Sequence, residues 1–391
     1  MIRNSLISVA ALSLALTLSA CGPPGEQAAD QPHGYVEGAA EAAEAQPAMA
    51  YAARGGRQLH LLDLATEQEK PVGLAIGAAD LSEDGRFVYV TDGDRTVEIV
   101  DSGVWTVDHT DHVHYYRAPA RTLGTIVLDQ PVAAVAGAGA YTTVGTTDGR
   151  IRVYDRRQLE QGRIAEVATI DSGSATGLAV PYGEGLLVAV GDDRNQPADR
   201  IVVMSPDGRE TGALQAPCEA PAGWVVLRGG AMITCIDSLV RVKQVDGKLT
   251  AQVLASTDGP IPANAFGFRP RSNEAAVADR TGIWSVNAAK ATLRHVPADG
   301  RDLVAAASPA DGRTVLALDH DGALISYDLA TGATIAETPL RASALTLDVS
   351  RAYLTEPAAR VIHEIDYADG LRTARTLRTA EQPDLAVEVG R

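Results

Sequence analysis

Asp-Gly dipeptides recur along this chain between short runs of alternating apolar residues, and no other feature constrains the fold as strongly. The stretches Glu83-Asp84-Gly85-Arg86-Phe87-Val88-Tyr89-Val90 and Thr147-Asp148-Gly149-Arg150-Ile151-Arg152-Val153-Tyr154-Asp155 share the pattern. So do Ala310-Asp311-Gly312-Arg313-Thr314-Val315-Leu316-Ala317-Leu318 and His320-Asp321-Gly322-Ala323-Leu324-Ile325-Ser326-Tyr327-Asp328-Leu329. Asp-Gly flanked by β-branched, alternating residues is the turn chemistry of antiparallel strands. The units read as four strands each, at a spacing of roughly 40–45 residues, which is the period of a propeller blade. A length of 391 residues alone suggests two or three domains. The periodicity argues for one large repeat domain instead.

The expected fold is all-β, a β-propeller of eight blades, with seven as the alternative if one weak repeat is misjudged. One blade runs from about Ala79 to Leu128, and further ones begin near Val132, Ala175, Ala220, Ile261, Asp302 and Ser343. The first strands, Ala48 to Ala53 and Gln58 to Leu64, lack an innermost partner, and the final stretch Pro383 to Val389 lacks outer ones. Pairing of the N- and C-terminal strands in a shared blade closes the ring and hides sheet edges that invite aggregation. Aromatic residues are 4% of the chain, so the core must rest on Val, Leu, Ile and Ala. No long amphipathic helical pattern is present; the Ala-rich run Glu37 to Ala45 is expected to form a short helix.

Residues 1–20 read as a lipoprotein signal peptide. Arg3 is their one charge, and Leu6 to Leu18 are apolar over a length that suits a signal and is short for a bilayer span. Leu18-Ser19-Ala20-Cys21 has the small residues that precede an acylated cysteine in bacterial lipoproteins. Residues 21–32 read as a flexible tether from acylated Cys21, 33–47 as an N-terminal segment, and 48–391 as the propeller. Acyl chains would hold the protein at a membrane without a spanning helix, in the periplasm or at the cell surface. An exporting compartment favours disulfides, so the two remaining cysteines, Cys218 and Cys235, are expected to pair, with a thiolate metal site as the alternative. A formal net charge of −16 argues against nucleic acid and against docking on anionic lipid.

Chemistry concentrates in Val107-Asp108-His109-Thr110-Asp111-His112-Val113-His114-Tyr115-Tyr116, which holds three of the eight histidines. In an extended segment His112 and His114 point to one side, and a turn at Thr110-Asp111 brings His109 to them. Imidazole nitrogens suit zinc, usually in tetrahedral geometry, although copper and nickel accept the same donors. Three histidines leave one position, for which Asp111, Asp108 or water are candidates; the carboxylates can alternatively orient an imidazole from behind. His33, on the N-terminal segment, is a candidate mobile contributor. Tyr115 and Tyr116 are expected to pack the loop onto the blades. His320 is read as exposed at a turn, His363 as a solvent-facing strand residue beside carboxylates, and His60 and His295 as strand residues without partners. No Gly-x-Ser-x-Gly elbow, phosphate loop or dinucleotide fingerprint occurs.

Three stretches together resemble AztD-type proteins: His33-Gly34-Tyr35-Val36-Glu37-Gly38 with the Ala/Glu run after it, Trp105 to Arg117, and Ile362-His363-Glu364-Ile365-Asp366-Tyr367-Ala368-Asp369-Gly370. The resemblance runs from His33 to the C-terminus. It implies a periplasmic zinc metallochaperone built as a β-propeller, not an enzyme, that passes Zn2+ to the solute-binding protein of an ABC zinc importer. It places His109, His112 and His114 in the zinc site, with His33 as a mobile contributor. One departure stands out: relatives are expected to carry a His-Gly pair shortly after the first paired cysteine and an Asp-Gly after the second. Here Cys218 is followed by Glu219-Ala220-Pro221-Ala222-Gly223 and Cys235 by Ile236-Asp237-Ser238. Two competing readings are a non-catalytic propeller scaffold for protein assembly and a metal-dependent, lactonase-like hydrolase.

Overall fold

The computed structural model describes residues 36, 38–109 and 112–391. Signal, tether, Cys21, His33 and Asp111 lie outside the described residues, and with them the expectations placed there. The described chain is built of antiparallel sheets, in which short strands follow one another as simple meanders. None of its helices is long and apolar enough to cross a membrane.

The repeat seen in the sequence corresponds to four-stranded units. Asp80–Glu83, Phe87–Thr91, Thr96–Asp101 and Arg121–Val127 make one sheet, in that spatial order. Further units begin at Val132, Ala179, Trp224, Gly267, Leu303 and Ala344, each within six residues of the expected start. The units that begin at Gly267 and Leu303 share a continuous sheet, because their first strands pair in parallel with Gly267 opposite Ala307. At the chain ends, Leu385–Val389 pairs with Ala48–Ala52 in the register Ala48↔Val389 to Ala52↔Leu385. That sheet continues through Gln58–Asp63 to Glu69–Gly73.

Strand alternation assigns each face to a different neighbour. In Leu385–Val389, Leu385, Val387 and Val389 pack with Leu59, Leu61, Leu81, Val88 and Val90, toward the sheet that follows Gly73. The intervening Ala386 packs with Tyr51, Tyr353 and Ile362, toward the preceding one. Apolar burial at about 25 cal/mol per Å² therefore accrues between sheets, not in a single central core. Some first strands, Val132–Ala138 and Leu303–Ser308 among them, are rich in small residues, and small residues allow close approach of backbone. A Cβ on Gly267, in the first strand of its unit, would overlap the Ala306 carbonyl oxygen.

The Asp-Gly dipeptides occupy two different turns. Asp84-Gly85 and Asp311-Gly312 connect first to second strands, whereas Asp148-Gly149 and Asp321-Gly322 connect second to third. Glycine takes positive φ in both. In the first kind (91° at Gly85, 69° at Gly312) the aspartate of the dipeptide accepts backbone N–H bonds within the turn, from Phe87 at 2.8 Å and Thr314 at 2.7 Å. At Asp321-Gly322, of the second kind, it is Asp319 that accepts, from Ala323 N–H at 2.8 Å.

The Ala-rich run departs from expectation. Ala40–Ala42 is an extended strand, not a helix. Ala has the highest helix propensity, but three residues gain more by pairing with the open edge of Val113–Arg117, and tertiary context prevails. The one α-helix of the described residues is short, Arg156–Glu160, capped by the Asp155 side chain. Cys218 and Cys235 form the expected disulfide, with Cα atoms 5.1 Å apart. It brackets the strands Trp224–Leu227 and Gly230–Thr234.

Candidate metal centre

Between Thr96–Asp101 and Arg121–Val127, the third and fourth strands of their sheet, the chain leaves as a hairpin, Val104–Asp108 and Val113–Arg117, and returns. Gly103 makes the exit possible. Its φ is 74°, and a Cβ there would collide with the Ala118 carbonyl, which faces it across the neck of the hairpin. Ala118 N–H closes the neck by donating to Gly103 O at 2.7 Å.

Register fixes the two faces. Trp105 lies opposite Tyr116 and Val107 opposite His114, so these four side chains share a face with His109 and His112 at the tip. The near end of that face is anchored in protein. Trp105 and Tyr116 are buried and stacked at 5.3 Å, and the buried Arg86 guanidinium lies 3.7 Å from the Trp105 ring centre. Asp101 holds Arg86 there through two hydrogen bonds of 3.0 and 2.9 Å. Tyr116 is thus the packing tyrosine the sequence suggested, while Tyr115 is on the other face and half-buried.

The far end carries the histidines. His109 N–H donates to His112 O at 3.0 Å across the turn. His109 and His112 stack, with ring centres 4.9 Å apart at 25°. His114 stands edge-on to both, at 5.5 and 5.0 Å. One donor nitrogen from each ring lies within 4.8 Å of the others, with His112 exposed and the other two half-buried. Donors around a tetrahedral zinc are about 3.3 Å apart, given Zn–N bonds of about 2.0–2.1 Å. Small ring rotations would close the triad to that spacing.

A third strand completes this small sheet. Ala40–Ala42 pairs with the outer edge of Val113–Arg117, placing Glu41 opposite Tyr116 on the histidine face. The Glu41 carboxylate is 2.7 Å from His114 Nδ1. Burial, and after it the Glu41 charge, pushes the Tyr116 phenol above its ordinary pKa. Sequence reasoning missed Glu41 because it read the segment as a helix; the alternation Ala40-Glu41-Ala42 was the available sign of a strand.

Other contacts fix where the hairpin lies. Thr106 Oγ1 donates to Gly390 O at 2.8 Å, just past the C-terminal strand. Arg117 bonds Asp63. Asp108, considered as a ligand, projects from the opposite face and is held by Arg228 at 2.6 Å.

The remaining histidines are elsewhere. His320 is exposed at its turn, as expected. His363 is part-buried, with Nε2 2.9 Å from Glu356. The reading of His60 as partnerless is overturned: it is buried, 2.5 Å from Glu69 through Nδ1, and stacked on Tyr51. Burying a polar ring nitrogen costs free energy, and the Glu69 bond offsets it at Nδ1. His295 packs against Trp284 with ring centres 4.4 Å apart.

No family model matches this chain, and no curated protein matches it in sequence. Among solved structures it is similar to a crystal structure of AztD from Citrobacter koseri, with a TM-score of 0.72 at 15% identity. It is also similar to apo AztD from the same organism, with a TM-score of 0.72 at 14% identity. Both alignments cover 88% of this chain and 98% of the other. The chain has an AztD-type fold.

Proposed function

We propose that this chain is a zinc-carrying metallochaperone that hands its metal to the solute-binding protein of an ABC zinc importer. In this reading the four-stranded units are the eight blades of a propeller, and the pairing of Leu385–Val389 with Ala48–Ala52 closes the ring. Acylated Cys21 tethers it outside the cytoplasm. His109, His112 and His114 take up the zinc, with Asp111 or His33 as candidates for the remaining position. The observation that carries the reading is the convergence of three imidazoles on one face of an excursion that the sheets themselves do not need.

The arrangement suits a carrier. Neutral imidazoles bind zinc well. One of them, His112, is exposed at the hairpin tip, where an acceptor's donor can replace it before the two more covered rings let go. Exchange one ligand at a time keeps the metal from passing through free solution. Three histidines with an open fourth position are also a hydrolytic zinc ligand set, so turnover of a lactone and ester panel distinguishes the catalytic alternative.

The test is a competitive zinc titration of the metal-free protein beside a His109/His112/His114 triple-alanine variant. Near-stoichiometric, tight binding that disappears in the variant supports the reading. Binding indifferent to the variant removes it and moves the scaffold reading to first place.

A further inference from the structure

We infer that Glu41 is a positioning residue for the metal site: it fixes the tautomer and orientation of His114, so the strand Ala40–Ala42 is a working part of the centre. The inference rests on the metal reading above. Its ground is the contact between Glu41 Oε1 and His114 Nδ1 at 2.7 Å, a distance at which the ring nitrogen donates and the carboxylate accepts. With the proton held on Nδ1, the lone pair is on Nε2, the nitrogen that can bind metal. A carboxylate behind an imidazole also removes ring-flip freedom that metal binding would otherwise have to freeze.

The architecture delivers this carboxylate deliberately. Glu41 sits in a three-residue edge strand whose pairing with Val113–Arg117 sets it opposite Tyr116, diagonal to His114 and on the same face. The strand is exposed and makes little core, so packing alone gives slight reason for it. Further along, the same segment enters Ala48–Ala52, which pairs with the C-terminal strand. The orienting group therefore comes from a different part of the chain than the three histidines, and loosening this segment would weaken the metal's hold without moving any of the three.

The experiment compares the full-length chain with its Glu41→Gln, Glu41→Asp and Glu44→Gln variants. Glu44 is exposed in the same segment, so its variant controls for loss of charge. Zinc affinity is read by chelator competition, the ligand set by the visible spectrum of the cobalt-loaded protein, and the His114 tautomer by ¹⁵N NMR of metal-free protein. The expected result for Glu41→Gln is zinc affinity lowered about 10–100-fold, an unchanged cobalt spectrum, and His114 redistributed between tautomers. Glu41→Asp should recover part of the loss, and Glu44→Gln should match wild type. Wild-type affinity and tautomer in Glu41→Gln would overturn the inference. So would an altered cobalt spectrum, which would make Glu41 a direct ligand. Failure of the wild-type chain to bind zinc would bring down the metal reading itself, while the metal-free tautomer would still report whether Glu41 sets His114.

Discussion

Asp108 and Arg228, 120 positions apart, meet in an ion pair of 2.6 Å that ties the histidine hairpin to the turn between Trp224–Leu227 and Gly230–Thr234. Together with the Thr106 bond to Gly390 O it holds the hairpin from two directions. The pair is partly exposed, the Arg228 side chain 48% and the Asp108 side chain 24% accessible, so its worth to global stability is about 0–1 kcal/mol. Its effect should be local. Arg228→Ala is expected to leave the melting temperature nearly unchanged while hydrogen exchange in Val104–Arg117 speeds up to about fivefold. Unaltered exchange there would mean that the hairpin is held without this pair.

The two ends of the hairpin should respond oppositely to truncation. His112 is exposed and makes no core, so His112→Ala should shift stability by less than about 0.5 kcal/mol. Its zinc affinity should fall by more than the roughly 10–100-fold typical of an outer partner. Trp105 is buried between Arg86 and Tyr116; its replacement by Ala should cost about 3–5 kcal/mol in chemical denaturation. A His112→Ala protein that keeps wild-type zinc affinity would remove His112 from the site.

These contrasts mark what the sequence made legible. Strands and turns were readable because Asp-Gly chemistry and two-residue alternation are local, and they act at Asp84-Gly85 as they do at Asp311-Gly312. His112 and His114 shared a side by the same rule. What was not readable depends on chain segments meeting. Glu41 reaches His114 across 73 positions and Arg228 reaches Asp108 across 120. Local propensity even pointed the wrong way for Ala40–Ala42, where an open strand edge outweighs the helical preference of alanine. His60 looked idle because its partner Glu69 is on the adjacent strand, in a register that the sequence does not display.

The Cys218–Cys235 disulfide closes a loop at a sequence separation of 17. The chain-entropy model gives such a bridge roughly 3 kcal/mol through the unfolded state. Both cysteines are buried, against Val240 and Val242 among others. A double Cys→Ser variant should therefore lose about 2–5 kcal/mol in denaturant titration, yet bind zinc with unchanged stoichiometry, since neither sulfur belongs to the histidine cluster. Loss of zinc binding in a variant that remains folded would assign the sulfurs to the metal instead.

Glu388 gives the molecule its clearest pH signature. It is on the C-terminal strand, buried, and neither carboxylate oxygen has a hydrogen-bond partner among the described residues. Burial pushes its pKa from 4.5 up to about 8; Arg391, 4.0 Å away, opposes the shift, and the charges of Asp348 and Glu83 add to it. In the unfolded chain the group ionises near its ordinary value, whereas in the folded chain it keeps its proton. Stability is thus fully present below about pH 4.5 and is progressively lost as pH rises to about 8, on the order of a few kcal/mol in all. Glu388→Gln keeps the shape and cannot ionise. Its melting temperature relative to wild type should climb between about pH 4.5 and pH 8 and level off beyond. A difference that stays flat across this range would mean that Glu388 is ionised in the folded protein, with Arg391 fully compensating its charge. Because this strand pairs with Ala48–Ala52, the same pH dependence should appear in the exchange of the Ala48–Ala52 amides and be weaker in strands far from the chain ends.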